Sequence, residues 1–381
     1  MSIPLEGINI LDMTHFQAGP SATQLLAWLG ANVIKIEEPL IGDKARIEMS
    51  DDDSEDSFYF KLFNSNKKSI CLDIKSSLGQ KIFKELVSKC DVLVENFAPG
   101  YMKKFGIDYE NLKNINPKLI YASIKGYGSK GENSDFKSFE GVAQASSGIM
   151  GTNGEPNGDP LIVSAGVSDS GSGLHCVIGI LSAIINRSKT NEGDFIDISM
   201  QDSSLNLNRM KMINTLKSNL PEPRIGNLLR GQPSIFKCHP DGYYDYVYIC
   251  IGGESWHTFL AIIGRSDLIF DLRFDSESSR KNYFSEIKDI IEKKALKGDI
   301  NAVAQLAKWH IEVLEEPDHE GAYTWFAVAA ALNIEGAAKN RDTSKEFLES
   351  EQITDLQKKA AGIFSGINEA IILKQEREGE S

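Results

Sequence analysis

Short apolar runs alternate with amphipathic segments through the N-terminal third of the chain, and this alternation restricts the fold most strongly. Helical patterns open at Pro20 and close at Gly30, and recur over Leu78–Lys89. The extended runs around them are Ile8–Met13, Asn32–Glu37, Ser69–Ile74, Asp91–Glu95 and Leu119–Ile124. Strands that alternate with helices need crossover connections, which produce a mostly parallel sheet. The sequence therefore predicts an α/β fold.

Charge and cysteine usage exclude several classes of protein. The 381 residues carry a net charge of −13 and a pI near 5.1, which argues against nucleic acid as the main partner. The N-terminus lacks the regions of a signal peptide, and the longest apolar run, Leu174–Ile185, is too short to span a membrane. The scattered cysteines show no metal-binding spacing. We therefore predict a cytoplasmic protein with no membrane partner and no metal site.

The first strand and turn raise a dinucleotide-binding alternative. Glu37 ends the second predicted strand, where such proteins carry the acid that binds a ribose. The first turn, His15–Pro20, lacks the GxGxxG glycines that let a backbone approach a pyrophosphate. Because the turn precedes a helix and Gln17 offers an amide donor, it can still hold an anion or a carbonyl group. The pattern favours a ligand other than NAD.

Further motifs follow one another in order: Met13–Pro20, Gly30–Glu37, Asn66–Ile70, Leu72–Lys75, Val94–Gly100, Ala122–Tyr127, Ser168–Ser170 and Met200–Asp202. Over residues 3–290 the chain resembles the class III CoA-transferases, in particular those that act on formyl-CoA and oxalate. The resemblance implies a Rossmann-like large domain over 1–225 and a partial small domain over 226–293. It also implies acyl-CoA and a small carboxylic acid as substrates, no permanently bound cofactor, and a homodimer of interlocked subunits.

Moving coenzyme A between two acids without hydrolysis requires the enzyme to hold the acyl group. A carboxylate can do so by attacking the thioester, which gives a mixed anhydride and free CoA thiolate. Asp169 is the one acid in the small-residue run Ala165–Gly173, before an apolar helix whose N-terminus is expected to keep it ionised. From the residues alone, a helix N-cap is the commoner role for such an aspartate. The resemblance implies that Asp169 is the nucleophile, and the two roles are compatible if Asp169 lies near the helix start with its carboxylate turned to the ligand.

The resemblance also implies the remaining site residues. His15 and Gln17 match the family's active-site turn, in which Gln17 would hydrogen-bond the thioester oxygen or the anhydride. Gln232 matches a residue of the family's substrate loop. The residues implied to bind coenzyme A are Gln17, Ala18, Leu72, Asp73, Ile74, Lys75, Asn96, Phe97, Ala98, Lys104, Lys137, Ser138, Phe139 and Glu140.

Three departures from the family pattern bear on the substrate. Glu38 stands where the oxalate enzymes carry an arginine for a CoA phosphate, and Lys104 replaces a second arginine. The glycine run that forms a mobile lid in those enzymes is shortened here to Asn227–Pro233. Transfer to oxalate is therefore not the expected reaction, and another acyl pair, such as succinate or acetate, stays open.

After Lys293 the sequence changes character. Small and aromatic residues recur at helical spacing, among them Trp309, Trp325 and Phe326. The stretch Gly298–Lys339 resembles a Sel1-like helical repeat, with fewer units than the roughly three that such arrays need. We predict a helical segment over 294–381 that packs these aromatic side chains and ends in a charged tail. Loss of the family's C-terminal region there also predicts a weakened dimer.

Three functions stay in competition at this point. The motif Ser168–Ser170 and Gln17 favour CoA transfer. An α-methylacyl-CoA racemase of the same superfamily would instead move an α-proton with a His/Asp pair. A non-catalytic CoA-binding or interaction protein is the third, because the glycine run and the C-terminal region are altered. The sequence identifies neither the donor acid nor the acceptor acid.

Overall fold

The structure is a computed structural model that divides into two compact units, unit 1 (Met1–Gly226) and unit 2 (Asn227–Ser381). All site residues predicted above lie in unit 1, except Gln232. The residues that the structure describes are 3–50, 55–229, 232–237, 243–244, 246–249, 256–262, 265–283, 286, 319–331, 337–350 and 352–361.

Unit 1 is built on a parallel sheet of six strands: β1 (Asn9–Met13), β2 (Asn32–Glu37), β3 (Lys68–Cys71), β4 (Val92–Glu95), β5 (Ile120–Lys125) and β6 (Asp194–Ser199). Their spatial order is β3-β2-β1-β4-β5-β6, so the direction of strand addition reverses between β1 and β4. This is the order of Rossmann domains, whose ligands bind at the reversal point beyond the carboxyl ends of the strands. The predicted α/β class is confirmed.

The first five strands coincide with the predicted runs, with small shifts at their ends. The third ends at Cys71 because Leu72, Asp73 and Ile74 form the turn into the next helix. Strand β6 is not among the predicted strands. It is an edge strand whose apolar residues are interrupted by Asp194 and Asp197, and such a run gives a weak signal.

Helices cover both faces of the sheet. On one face Ile10 and Val92 pack against α-helical residues Leu26 and Ile180, and on the other Leu11 packs in a second core. Neighbouring residues of one strand are therefore buried on opposite faces, as in doubly covered parallel sheets. The helices of unit 1 are α1 (Ala18–Trp28), α2 (Phe58–Asn64), α3 (Ser77–Val87), α4 (Tyr101–Lys104), α5 (Tyr109–Leu112), α6 (Glu140–Ser146), α7 (Ile149–Thr152), α8 (Val167–Thr190), α9 (Met200–Leu207) and α10 (Met212–Ser218).

Helix α8 lies unusually close to α1. A Cβ atom added to Gly173 would come within 2.2 Å of Ser21 Oγ, so the approach requires glycine. By length and composition α8 is also apolar enough to cross a bilayer, a test that core helices of soluble proteins pass as well. In this structure 44% of its most apolar window is buried.

Unit 2 contains two short antiparallel pairs and several helices. Gln232 lies in the second strand, where its backbone pairs with Leu229. Phe326 is buried, and the described residues after 318 are largely helical, with a third helix at 352–361. The predicted Trp309 contacts and the Trp325 side chain lie outside the described residues. The elements are β7 (Leu228–Leu229), β8 (Gln232–Pro233), β9 (Ile235–Lys237), β10 (Tyr246–Tyr248), α11 (Trp256–Ile262), α12 (Glu277–Asn282), α13 (His319–Ala331) and α14 (Ala337–Lys345).

Candidate active site

A cavity of about 450 Å³ opens at the reversal point of the sheet. It lies beyond the carboxyl ends of β1 and β4, where the topology predicts a ligand site. The sequence-predicted residues that line it are His15, Gln17, Ala18, Lys75, Asn96, Phe97, Ala98, Lys137, Ser138, Phe139 and Asp169. Segments far apart in the sequence therefore meet in one cavity.

The turn after β1 is fixed by the turn after β4. The backbone N–H of His15 donates to Asn96 Oδ1 at 2.8 Å, and Asn96 Nδ2 donates back to the His15 carbonyl at 2.9 Å. Phe16 adopts a positive φ of 61°, which is uncommon for a residue with a side chain and indicates a constrained turn. The Phe97 ring meets the His15 imidazole edge-on, with centroids 4.9 Å apart. These contacts orient His15 beside the cavity.

Gln17 joins this turn to the start of α8. Its Nε2 donates to Ser170 Oγ at 2.9 Å. Gly166 precedes the helix with φ 59°, and a Cβ atom there would lie 2.3 Å from Gln17 Nε2. Glycine at this position therefore provides both the left-handed backbone and the space for the amide. An amide nitrogen carries two N–H donors, which suits Gln17 to a ligand oxygen as well.

Asp169 lies in the first turn of α8, whereas Gly166 is the N-cap residue. The N-cap role is therefore wrong for Asp169. The helix N-terminus is occupied by Glu140, whose carboxylate accepts from the N–H groups of Ser168 at 3.0 Å and Asp169 at 2.6 Å. Burial, followed by the negative charge of Glu140, raises the pKa of Asp169 to about 7. The expectation that the helix N-terminus keeps Asp169 ionised is wrong, because Glu140 takes those amides.

Glu140 is placed differently from its predicted contact with coenzyme A. It does not line the cavity, and Gln144 Nε2 donates to it at 2.5 Å from the next turn of α6. The Gln144 Nε2 also donates to the Val163 carbonyl, and Gln144 Oε1 accepts from the Val163 backbone N–H. Glu140 is thus a fixed structural acceptor for α8 in this structure, and its electrostatic effect on the cavity passes through Asp169.

The predicted adenosine-end residues lie beside the main cavity. Leu72, Asp73 and Ile74 line a small side cavity of about 30 Å³, which also includes Lys75. The Lys75 ammonium pairs with the Glu38 carboxylate, and this hydrogen bond raises the pKa of Lys75. Glu38, the acid at the family's arginine position, therefore neutralises Lys75, one of the residues implied to bind coenzyme A.

Lys104 does not line the cavity. Lys104 is exposed, and its ammonium lies over the Phe105 ring at 5.5 Å from the centroid. Gln232 belongs to unit 2, and its side chain lies outside the described residues.

The structure also argues against the dinucleotide-binding alternative. Glu37 accepts two hydrogen bonds from the Arg46 guanidinium, at 2.7 and 2.6 Å, and is 2% exposed. Its remaining contacts are to Ser69 and to the backbone N–H of Asp43. A buried acid satisfied in this way is not free to bind a ribose hydroxyl.

Two buried aspartate–lysine pairs behind the active-site turn were not predicted. Lys35 Nζ lies 2.9 Å from Asp43 Oδ2, and Lys67 Nζ lies 2.9 Å from Asp12 Oδ2. Burial opposes ionisation of Asp12 most strongly, yet the charges of Lys35 and Lys67 hold the pKa of Asp12 well below its usual range. The four residues of these pairs lie in four separate segments of the sequence, so no local sequence pattern predicts the pairing.

Clusters of metal-ligating side chains are not found in the described part of the chain. No group of three or more His, Cys, Asp or Glu side chains there could hold a metal ion. The cysteines that the structure describes, Cys71, Cys90 and Cys176, are free thiols.

Comparison with known proteins agrees with this fold. The sequence profile of "CoA-transferase family III" matches residues 5–314, which extends beyond the predicted start of the helical segment at 294. A formyl-CoA:oxalate CoA-transferase of Streptomyces avermitilis is 41% identical over 331 residues, covering 83% of this chain and 78% of that protein. One from Escherichia coli O157:H7 is 38% identical over 336 residues, covering 82% of this chain and 80% of that protein.

Solved structures give the same fold. A CAIB/BAIF family protein from Brucella suis is similar with a TM-score of 0.71 and 32% identity, covering 81% of this chain and 82% of that one. A hypothetical protein from Mycobacterium tuberculosis gives a TM-score of 0.66 and 31% identity, covering 77% and 78%. The sequence profile spans most of the chain and the curated relatives cover most of both lengths. This chain therefore belongs to CoA-transferase family III.

Proposed function

We propose that this enzyme moves coenzyme A from an acyl-CoA to a carboxylic acid, with Asp169 as the nucleophile. The observation that carries the proposal is a partly buried carboxylate at the wall of the reversal-point cavity, which Gln17 also lines. A nucleophile and a donor for the developing oxyanion must meet in one open site. Among the sequence-predicted residues, these two meet that requirement.

The reaction balances without any further reactant. An Asp169 carboxylate oxygen attacks the thioester carbonyl, the carbon–sulfur bond breaks, and CoA leaves as a thiolate, which gives an aspartyl mixed anhydride. The thiolate then attacks the aspartyl carbonyl, forms an enzyme thioester and releases the donor acid. The acceptor carboxylate repeats the two steps in reverse and leaves as a new acyl-CoA. Gln17 donates to the oxyanion in each step.

The lining suits a thioester of an anionic carrier. Lys44 and Lys137 supply positive charge, whereas Phe97 and Tyr101, stacked with centroids 4.3 Å apart, supply an apolar wall. We assign the adenosine end to the part of the main cavity at Lys75, beside Leu72–Ile74, because the side cavity of about 30 Å³ is too small to hold a nucleoside. Lysine ammonium groups bind phosphates as point charges. Aromatic side chains pack against flat rings such as an adenine.

For the donor and acceptor acids we propose a wider range than formate and oxalate, the acids in the names of the relatives. Two relatives carry the name formyl-CoA:oxalate CoA-transferase. The shortened segment Asn227–Pro233 lacks the glycine run of such enzymes, and the exposed Phe139 ring lines the cavity. We therefore propose a small carboxylic acid, with succinate and acetate as candidates beside oxalate.

Trapping the covalent intermediates tests the proposal. Incubation with formyl-, acetyl- or succinyl-CoA and no acceptor, followed by hydroxylamine, should convert Asp169 into its hydroxamate, which peptide mass spectrometry detects. Addition of oxalate, formate, acetate or succinate then identifies the acceptor by its new CoA ester. Asp197→Asn, a carboxylate change outside the cavity, should leave the label in place.

Three outcomes would contradict this function. Hydroxamate on another residue, or none with any donor, would remove Asp169 as the nucleophile. Exchange of the α-proton of a 2-methylacyl-CoA with deuterated water, without hydroxamate, would indicate racemase chemistry instead. CoA binding without either reaction would indicate a binding protein.

We further propose a cytoplasmic homodimer. Leu174, Ile178 and Ile185 recur on one side of α8 and are 51%, 63% and 60% exposed in the single chain. Apolar side chains aligned on one helix face are typical of a covered surface. The free thiols Cys90 and Cys176 fit a reducing compartment.

The dimer has a direct test. Ile178→Glu should place a charge in the interface and shift the sedimentation coefficient from dimer to monomer at micromolar protein. Lys81→Glu, an exposed charge change on α3, should leave the dimer intact. A monomeric wild-type protein at all concentrations would rule the dimer out.

A further inference from the structure

Asp43 contacts His15 but does not itself line the cavity. His15 Nδ1 is 3.5 Å from Asp43 Oδ1, and His15 is 22% exposed whereas the Asp43 side chain is 0% exposed. Hydrogen bonds that act in catalysis are often long in the ligand-free state and tighten when substrate binds. The imidazole therefore borders both a buried carboxylate and the cavity.

Asp43 is itself held from three directions. Its Oδ2 pairs with Lys35 Nζ at 2.9 Å, and its Oδ1 accepts the backbone N–H groups of Ala45 at 3.0 Å and Phe16 at 3.3 Å. Lys35 Nζ also donates to the Thr14 carbonyl at 2.6 Å, directly before His15. Burial favours the neutral acid most strongly, but the contacts with His15 and Lys35 hold the pKa of Asp43 well below its ordinary value. Asp43 is a fixed, ionised acceptor.

A fixed acceptor at Nδ1 determines the protonation of the ring. When Nδ1 donates to a carboxylate, the neutral imidazole presents Nε2 as an acceptor. The same arrangement stabilises the imidazolium after Nε2 gains a proton, as in other nucleophile–histidine–carboxylate sites. The proposed reaction needs such a group, because free CoA is produced inside the cavity and must remain a thiolate to attack again.

We propose that Asp43 is a positioning residue which, through His15, keeps released CoA as a reactive thiolate. The inference rests on the proposed CoA transfer. Asp43 fixes the Nδ1–H form of His15, and Nε2 takes the proton of any CoA thiol that forms. The product is an imidazolium–thiolate pair, and the proton returns to sulfur if CoA leaves the enzyme. The step is a proton transfer and needs no further reactant.

The first test needs no enzymatic activity, and a variant serves only to assign signals. Nitrogen-15 NMR of histidine-labelled wild-type protein distinguishes a protonated Nδ1 from a protonated Nε2, and the His15→Ala spectrum identifies the His15 signals. The expected result is a protonated Nδ1 and, with free CoA bound, protonation of Nε2 as well. A wild-type His15 protonated at Nε2 alone would overturn the proposal, even if Asp169 forms its hydroxamate.

The second test is a double-mutant cycle. Asp43→Asn should lower kcat by about 10²-fold, with KM for acyl-CoA changed by less than about threefold, because it acts on the thiolate and not on binding. In a His15→Ala background the same change should cost nothing further. Asp43→Glu, which keeps the charge, should recover part of the loss.

Asp12→Asn is the matched control, because Asp12 is equally buried and paired with a lysine but has no bond to His15. Its effect should be the same in both backgrounds. An Asp43→Asn loss that persists in full without His15 would mark Asp43 as merely structural and contradict the proposal. If wild-type protein forms no hydroxamate, the proposed function is contradicted, but the protonation of His15 measured by NMR is unaffected.

Discussion

Replacing Asp169 by asparagine is expected to lower the rate of CoA transfer by at least about 10³-fold and, at pH 8, to stabilise the protein. The rate falls because an amide cannot form the anhydride. Stability rises because the carboxylate of the wild-type enzyme is held in a site that disfavours its charge, as the raised pKa of about 7 indicates. Function and stability are opposed at this residue.

The pH dependence of the gain follows from the pKa of Asp169. An acid whose folded-state pKa is raised stabilises the fold below its unfolded pKa of 3.8, and this contribution is lost as pH rises to about 7. The full difference corresponds to an upper bound of about 4 kcal/mol, and partial exposure to the cavity lowers the expected gain to about 2 kcal/mol. The Asp169→Asn variant should therefore gain little stability at pH 4 and most above pH 7.

Urea unfolding at pH 4, 6 and 8 measures the gain, and calorimetric titration with CoA checks that binding stays within about threefold of wild type. Asp169→Ala provides a second variant that cannot revert by deamidation. Retention of more than about a tenth of the activity, or a gain in stability that does not change with pH, would contradict the assignment of Asp169.

Asp12→Ala is expected to reduce the free energy of unfolding by about 3–5 kcal/mol, the largest loss of stability that we predict. The change leaves the Lys67 ammonium, 1% exposed, without its carboxylate 2.9 Å away. Burial already lowers the pKa of Lys67 to about 8, despite the attraction of Asp12. Removal of Asp12 lowers that pKa further, so the lost stability should be greater at pH 6 than at pH 9.

Two further variants distinguish the cost of an unpaired buried charge from the cost of a lost contact. Replacing both partners, Asp12→Val with Lys67→Met, should recover part of the loss because no unpaired charge is buried. Glu110→Ala breaks an exposed pair with Lys113, 2.5 Å apart, and should leave unfolding unchanged within error. Equal losses in the single and double variants would show that the hydrogen bonds of Asp12, and not charge pairing, dominate.

The parallel sheet could be predicted because its strands are continuous apolar runs, such as the one over Ile120–Lys125, whose residues are almost all buried. The cavity residues followed from the resemblance and from topology, since Gln17 and Asn96 come directly after neighbouring strands. Strand β6 escaped prediction because Asp194 and Asp197 interrupt its apolar residues.

The chemistry around Asp169 and His15 could not be predicted in the same way. The state of Asp169 depends on Glu140, 29 positions earlier, which occupies the helix N-terminus in its place. Asp43 reaches the backbone of Phe16 across 27 positions of sequence. These are contacts between segments, and propensity and periodicity report only neighbours along the chain.

The strand order also has a consequence for how the enzyme is made. During synthesis β1, β2 and β3 emerge first, yet β1 must also pair with β4, and the cavity closes only when Gln17 meets Ser170, 153 positions later. Until then one edge of β1 is an open template for pairing with other chains. Nascent chains that stall before Val92 thus carry an unprotected hydrogen-bonding edge, and long-range closure of this kind is slow. The strand order that brings the reactive groups together therefore makes the incomplete nascent chain prone to aggregation.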